Sequence, residues 1–114
     1  MPRREYDLSG YRGMWLFALF DLPVTTATKR KRATQFRKVL LREGFAMLQL
    51  SVYARYCASE DIGLRFLDRL RGELPPEGQV RLLLVTDRQF GKMQVYYGKK
   101  AREPESVPLQ RLLF

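Results

Sequence analysis

Histidine is absent from the 114 residues. That excludes nucleophile systems in which an imidazole takes the proton of a serine or cysteine. Cysteine is nearly absent as well. Cys57 stands alone, so it has no disulfide partner within the chain and fits a reducing compartment. One cysteine without histidine cannot build a tetrahedral zinc site. Cys57 itself reads as a small buried hydrophobe rather than a nucleophile. Any metal must then be a hard cation held by oxygens, which points to Mg2+ or Mn2+. No apolar run approaches the roughly 20 residues that span a bilayer. The opening "MPRREYDLSGYRG" also lacks the apolar region of a signal peptide. Both features predict a cytoplasmic protein with no membrane contact. Acids are scarce: 12 stand against 21 bases, for a net charge of +9 and a pI near 10.1. A surplus of that size predicts an anionic partner.

What is present reads as one globular domain, since 46% of the chain is hydrophobic and 29% charged. The positive charge is unevenly placed. Lys29, Arg30, Lys31, Arg32, Arg37, Lys38 and Arg42 face only Glu43 within 29–43, a local +6. Arg88, Lys92, Lys99, Lys100 and Arg102 face no acid within 88–102, a local +5. Between them, residues 55–81 balance five arginines with five acids.

"MWLFALFDLP" is an unbroken apolar run ending on Asp21, as expected of a strand buried on both faces. Pro23 turns the chain out of it. Thr25 or Thr26 then caps a helix to Glu43, with Gly44 as its stop. Ala33, Phe36 and Leu40 form its apolar stripe, Arg30 and Arg37 flank it, and Lys31, Lys38 and Arg42 make an outward ridge. "FAMLQLSVYARYC" is either one bent strand or two strands meeting near Ser51. Ser59 caps a second helix with Ile62, Phe66 and Leu70 on its inner face. "QVRLLLVT" and the stretch Met93–Gly98 read as further strands. The order predicts an α+β, ferredoxin-like βαββαβ domain over 14–98 with an additional C-terminal strand. Residues 1–13 are an N-terminal extension, and 99–114 a linker with the apolar tail "LQRLLF". The first strand turns Trp15, Phe17 and Leu19 to one face and Met14, Leu16, Ala18 and Phe20 to the other; two helices can cover only one of these, so the apolar face left bare predicts a two-fold homodimer.

The candidate chemistry lies at Asp21. Alone it reads as a turn former before Pro23. Doubled by a two-fold axis, two such carboxylates can share one Mg2+ and direct it at a phosphodiester. Asp87 beside Arg88 reads as a local ion pair or turn, and Glu43, Glu60 and Asp61 as helix-end residues. The basic helix cannot neutralise itself by i,i+4 pairing, which favours a polyanion over a merely solvated face. Tyr53, Tyr56, Tyr96 and Tyr97 read first as half-buried strand residues and second as stacking platforms for bases.

"WLFALFDLP", the basic helix, "MLQLSVYARY", "RLLLVTDRQFGKMQVYYG" and the closing "LQRLLF" together resemble the CRISPR-associated protein 2 family, in the branch associated with type II systems. The resemblance covers about 100 residues from Met14 onward. It implies a ferredoxin-like homodimer that bridges dimers of the CRISPR-associated integrase along duplex DNA. It also implies a Mg2+-dependent endonuclease acting on RNA or DNA, with Asp21 as catalytic and metal-binding residue shared with its dimer mate. By the same resemblance, Arg30 and Arg32 fall where the family uses arginines, and Ser51 and Tyr53 match its serine and aromatic of the second strand. The nucleic-acid surface then comprises Arg30, Lys31, Arg32, Arg37, Lys38 and Arg42. Two alternatives stay open: a purely structural nucleic-acid scaffold, and a toxin-like endoribonuclease outside CRISPR.

Overall fold

The computed structural model describes residues 13–108. The N-terminal extension except Gly13, and the tail "LQRLLF", lie outside the described residues. The first strand, β1 (Met14–Asp21), alternates apolar side chains to both faces and forms the centre of the sheet. The chain then enters α1 (Ala27–Arg42), where the Thr26 hydroxyl accepts the Lys29 N–H as the N-cap. Its C-terminus closes at Gly44, whose φ of 86° is open to glycine. There the Gly44 and Phe45 N–H groups return to the carbonyls of Leu41 and Leu40, each at 3.0 Å.

The segment after Gly44 is two strands, β2 (Ala46–Gln49) and β3 (Val52–Cys57), joined at Leu50 and Ser51. A register shift between Met47 and Gln49 bulges β2 and lets the turn close without glycine. Ser59 caps α2 (Glu60–Arg71), with Glu60 and Asp61 at its positive end. β4 (Gln79–Thr86) completes a four-stranded antiparallel sheet in the order β2-β3-β1-β4. This is the α+β, ferredoxin-like arrangement.

On one face, Met14, Leu16, Ala18 and Phe20 pack with Phe36, Val39 and Leu40 of α1 and Leu70 of α2. Ile62, Phe66 and Leu67 close the margin. Phe20 meets Phe36 edge-on, with ring centroids 5.3 Å apart. Cys57 is fully buried here, as its small apolar character predicts.

The opposite face corrects the expectation of a wholly uncovered sheet. A short helix, α3 (Asp87–Gly91), folds back from the end of β4. Its Phe90 stacks on Trp15 at 4.0 Å and tilts against Phe17 at 5.6 Å. Met93 and Val107 pack beside them. Farther along β1 the cover ends. Phe17 and Leu19 are half-buried, and Leu83, the register partner of Phe17, is 51% exposed. The last strands also differ from the sequence reading. β5 (Val95–Tyr97) and β6 (Lys100–Arg102) pair with each other about Gly98 and do not join the main sheet.

Candidate functional site

Asp21 is the last residue of β1 and is exposed. Alternation puts its side chain on the face of Trp15, Phe17 and Leu19, at the end that α3 does not reach. The flanking strand supplies Gln79 opposite Asp21 and Arg81 opposite Leu19. The Arg81 Nε–H donates to Gln79 Oε1 at 2.9 Å. Among the described residues no cation pairs with Asp21. Its backbone is held closely: a Cβ on Gly78, at φ 87°, would stand 2.5 Å from the Asp21 carbonyl oxygen.

Ser51 belongs to the same end of the sheet, because its carbonyl accepts the Phe20 N–H at 3.0 Å. Tyr53 does not. It is register partner to Ala18 on the helix-covered face, 4% exposed, with its ring 5.6 Å from that of Phe20. Burial leaves no open ring face there for a nucleic-acid base. Tyr56 is likewise buried against Trp15. Tyr96 and Tyr97 are exposed on the β5–β6 hairpin, with the Arg102 guanidinium 4.4 Å from the Tyr97 ring.

As a metal centre, the described residues of the single chain show one candidate carboxylate, Asp21, at this strand end. No group of three or more His, Cys, Asp or Glu side chains suited to a metal occurs among the described residues. An exposed, unpaired carboxylate is the right donor for a hard cation, and a second one must come from elsewhere.

The basic helix divides into distinct settings. Lys31 and Lys38 are exposed and form no ion pair among the described residues. Arg30 donates from Nη1 to the Val24 carbonyl at 3.1 Å, which ties it to the loop after Asp21. Arg37 is half-buried and lies 5.9 Å from the Phe20 ring. Arg32 and Arg42 differ, since each meets an acid of the connection between α2 and β4. Arg32 pairs with Glu77, which also stands 3.9 Å from Lys29. Arg42 donates to Glu73 at 3.2 Å and to Glu43 at 3.3 Å. The hydrogen bond to Glu73 raises the Arg42 pKa above the ordinary guanidinium value, with desolvation opposing it and the contact with Glu43 adding to it. Neutralisation that the helix cannot supply from within is thus partly supplied from another element. Glu73 and Glu77 were not candidates by sequence, because acids in "GELPPEG" carry no periodicity that aims them at α1.

Two acids read as local features also do more. Glu43 ends α1, yet its side chain is only 6% exposed and accepts Arg69 of α2 at 2.9 Å. Its carbonyl accepts Arg55 Nε–H at 2.7 Å, and Arg55 lies 3.8 Å from the Phe66 ring. Asp87 opens α3 and accepts the Trp15 indole N–H at 2.8 Å. It therefore fastens α3 across β1 rather than serving only as a turn.

The family model for CRISPR-associated protein Cas2 matches residues 14–93. The chain belongs to the Cas2 family. Three curated relatives agree along nearly their whole length. A protein of Flavobacterium psychrophilum named CRISPR-associated endoribonuclease Cas2 is 43% identical over 107 residues, covering 94% of this chain and 93% of its own. A protein of the same name from Parvibaculum lavamentivorans is 46% identical over 101 residues, covering 89% and 100%. A third, from Paracidovorax avenae, is 39% identical over 107 residues, covering 94% and 99%. The Cas2 match ends before the β5–β6 hairpin, so the hairpin and its exposed tyrosines fall outside it. No helix among the described residues is long and apolar enough to cross a membrane.

Proposed function

We propose that this Cas2 protein acts in CRISPR adaptation as a two-fold homodimer. It binds duplex DNA along its basic helices and bridges dimers of the CRISPR-associated integrase, and it hydrolyses phosphodiesters at Asp21. The observation that carries the reading is the setting of Asp21. It is an exposed carboxylate without a cation partner among the described residues, at the rim of an apolar sheet face left partly uncovered at Phe17, Leu19 and Leu83. A second copy laid on that face removes the apolar surface from water and brings a second Asp21 toward the first.

The two Asp21 carboxylates would hold Mg2+ or Mn2+, hard cations that take oxygen donors. Held there, the cation would supply Lewis-acid polarisation of a phosphate and a water of lowered pKa. The chain itself supplies position. Gly78 and Ser51 hold the backbone at the strand end, and Arg30 lies over the loop that follows. The names of the relatives as endoribonucleases support RNA as a cleaved substrate. A non-catalytic scaffold is the competing reading, favoured by the absence, among the described residues, of any group of three or more potential metal ligands.

Asp21→Asn separates the two. Wild-type protein with Mg2+ or Mn2+ is expected to cleave RNA or DNA, and the variant to lose cleavage by at least about a hundredfold (roughly 3 kcal/mol of barrier) while binding duplex DNA as before. Equal cleavage by the variant, or none by the wild type, would leave only the scaffold. Binding itself should fall about a thousandfold between roughly 50 and 200 mM salt, if about six phosphates are contacted by the pair of helices. A flat response would remove the nucleic-acid reading altogether.

A further inference from the structure

Six cations of α1 are candidates for the nucleic-acid surface, but they are not equally available. Arg32 and Arg42 are already bound to Glu77 and Glu73. Both acids lie in one connection, residues 72–78, which runs beside α1 from the end of α2 to the start of β4. Lys29, on the same flank, also faces Glu77. Arg30 and Arg37 lie on the other flank of the helix, toward Val24 and Phe20. Lys31 and Lys38 point outward and meet no acid among the described residues. The helix is therefore electrostatically lopsided, neutralised along the α2 side and bare along the opposite side.

We propose that the α2–β4 connection is an acidic border to the nucleic-acid surface. Glu77 and Glu73 mask Arg32 and Arg42, and confine the phosphate backbone to a strip made by Arg30, Lys31, Arg37 and Lys38. This rests on the proposed nucleic-acid binding and goes beyond it by assigning the strip and its boundary. Two physical facts set the direction. A carboxylate within salt-bridge distance competes with a phosphate for the same guanidinium, and an unpaired carboxylate near the polyanion repels it. An exposed ion pair is also weak, so masking is a matter of degree and can be lifted by one substitution. Arg32, which the family resemblance places among the binding arginines, contributes little while Glu77 holds it.

The test is a double-mutant cycle on duplex-DNA binding, measured by fluorescence anisotropy across a salt series. Arg32→Gln alone is expected to weaken binding less than twofold, whereas Lys31→Gln with Lys38→Gln weakens it about tenfold or more at low salt. Glu77→Gln is expected to tighten binding by about threefold or more and to steepen the salt slope by about 0.9 for each phosphate newly contacted. Arg32→Gln in the Glu77→Gln background should then cost more than it does alone. Glu73→Gln and Arg42→Gln provide an independent second cycle at the other end of the helix. Unchanged affinity and slope in both acid variants would overturn the border, and so would weaker binding, which would mean that the acids present the arginines productively. Wild-type protein that binds no DNA at any salt would overturn the underlying binding reading instead.

Discussion

At Asp21 the neighbouring loop constrains the backbone carbonyl and leaves the carboxylate to solvent. Gly78 comes so close that any β-carbon would push the carbonyl or the loop aside, and its positive φ adds strain for every other residue. Gly78→Ala is expected to destabilise the fold by about 1–3 kcal/mol, read from the urea midpoint. Cleavage should fall as well, because the strand end that carries Asp21 moves. A variant with wild-type midpoint and activity would show that Gly78 does not position the site. Asp21 itself is legible in sequence, since a single acid closing an apolar strand stands out by contrast. The partners of Arg32 and Arg42 are not legible, because loop acids become meaningful only once the loop is placed. Tyr53 follows the first of its two readings, a strand tyrosine rather than a stacking platform. An aromatic near basic residues in sequence turns inward when strand alternation assigns it to the helix face.

Among the elements, the two long helices follow directly from their caps and apolar spacing. Thr26, Gly44 and Ser59 sit where side-chain and glycine capping demand. The third helix is different. Five residues make too little periodicity to read, and "DRQFG" is held by a capping box of Thr86 and Gln89 and by Asp87 on the Trp15 indole. Its role is to bring Phe90, 2% exposed, onto Trp15. Phe90→Ala should therefore cost about 3–5 kcal/mol in denaturant unfolding, the loss expected for a buried phenylalanine. A loss below about 1 kcal/mol would mean that α3 does not cover the sheet in solution. The β2–β3 turn is similarly hidden in sequence, since a bulge replaces the glycine that normally marks a hairpin.

For the whole molecule, one protein surface remains half-finished. The two long helices cover one sheet face and α3 covers part of the other, which leaves Leu83 exposed opposite Phe17 and ends at Asp21 opposite Gln79. In the proposed dimer, a two-fold copy would complete both the apolar face and the donor set, and this joint completion is the central claim. It is tested most directly by the stoichiometry of Mn2+ bound to the intact protein, measured by calorimetry at protein concentrations where light scattering shows the assembled mass. The account predicts a particle of twice 13.4 kDa that binds one ion per two chains, with binding lost in Asp21→Asn. One ion per chain, an ion retained by Asp21→Asn, or a particle of a single chain's mass would contradict it.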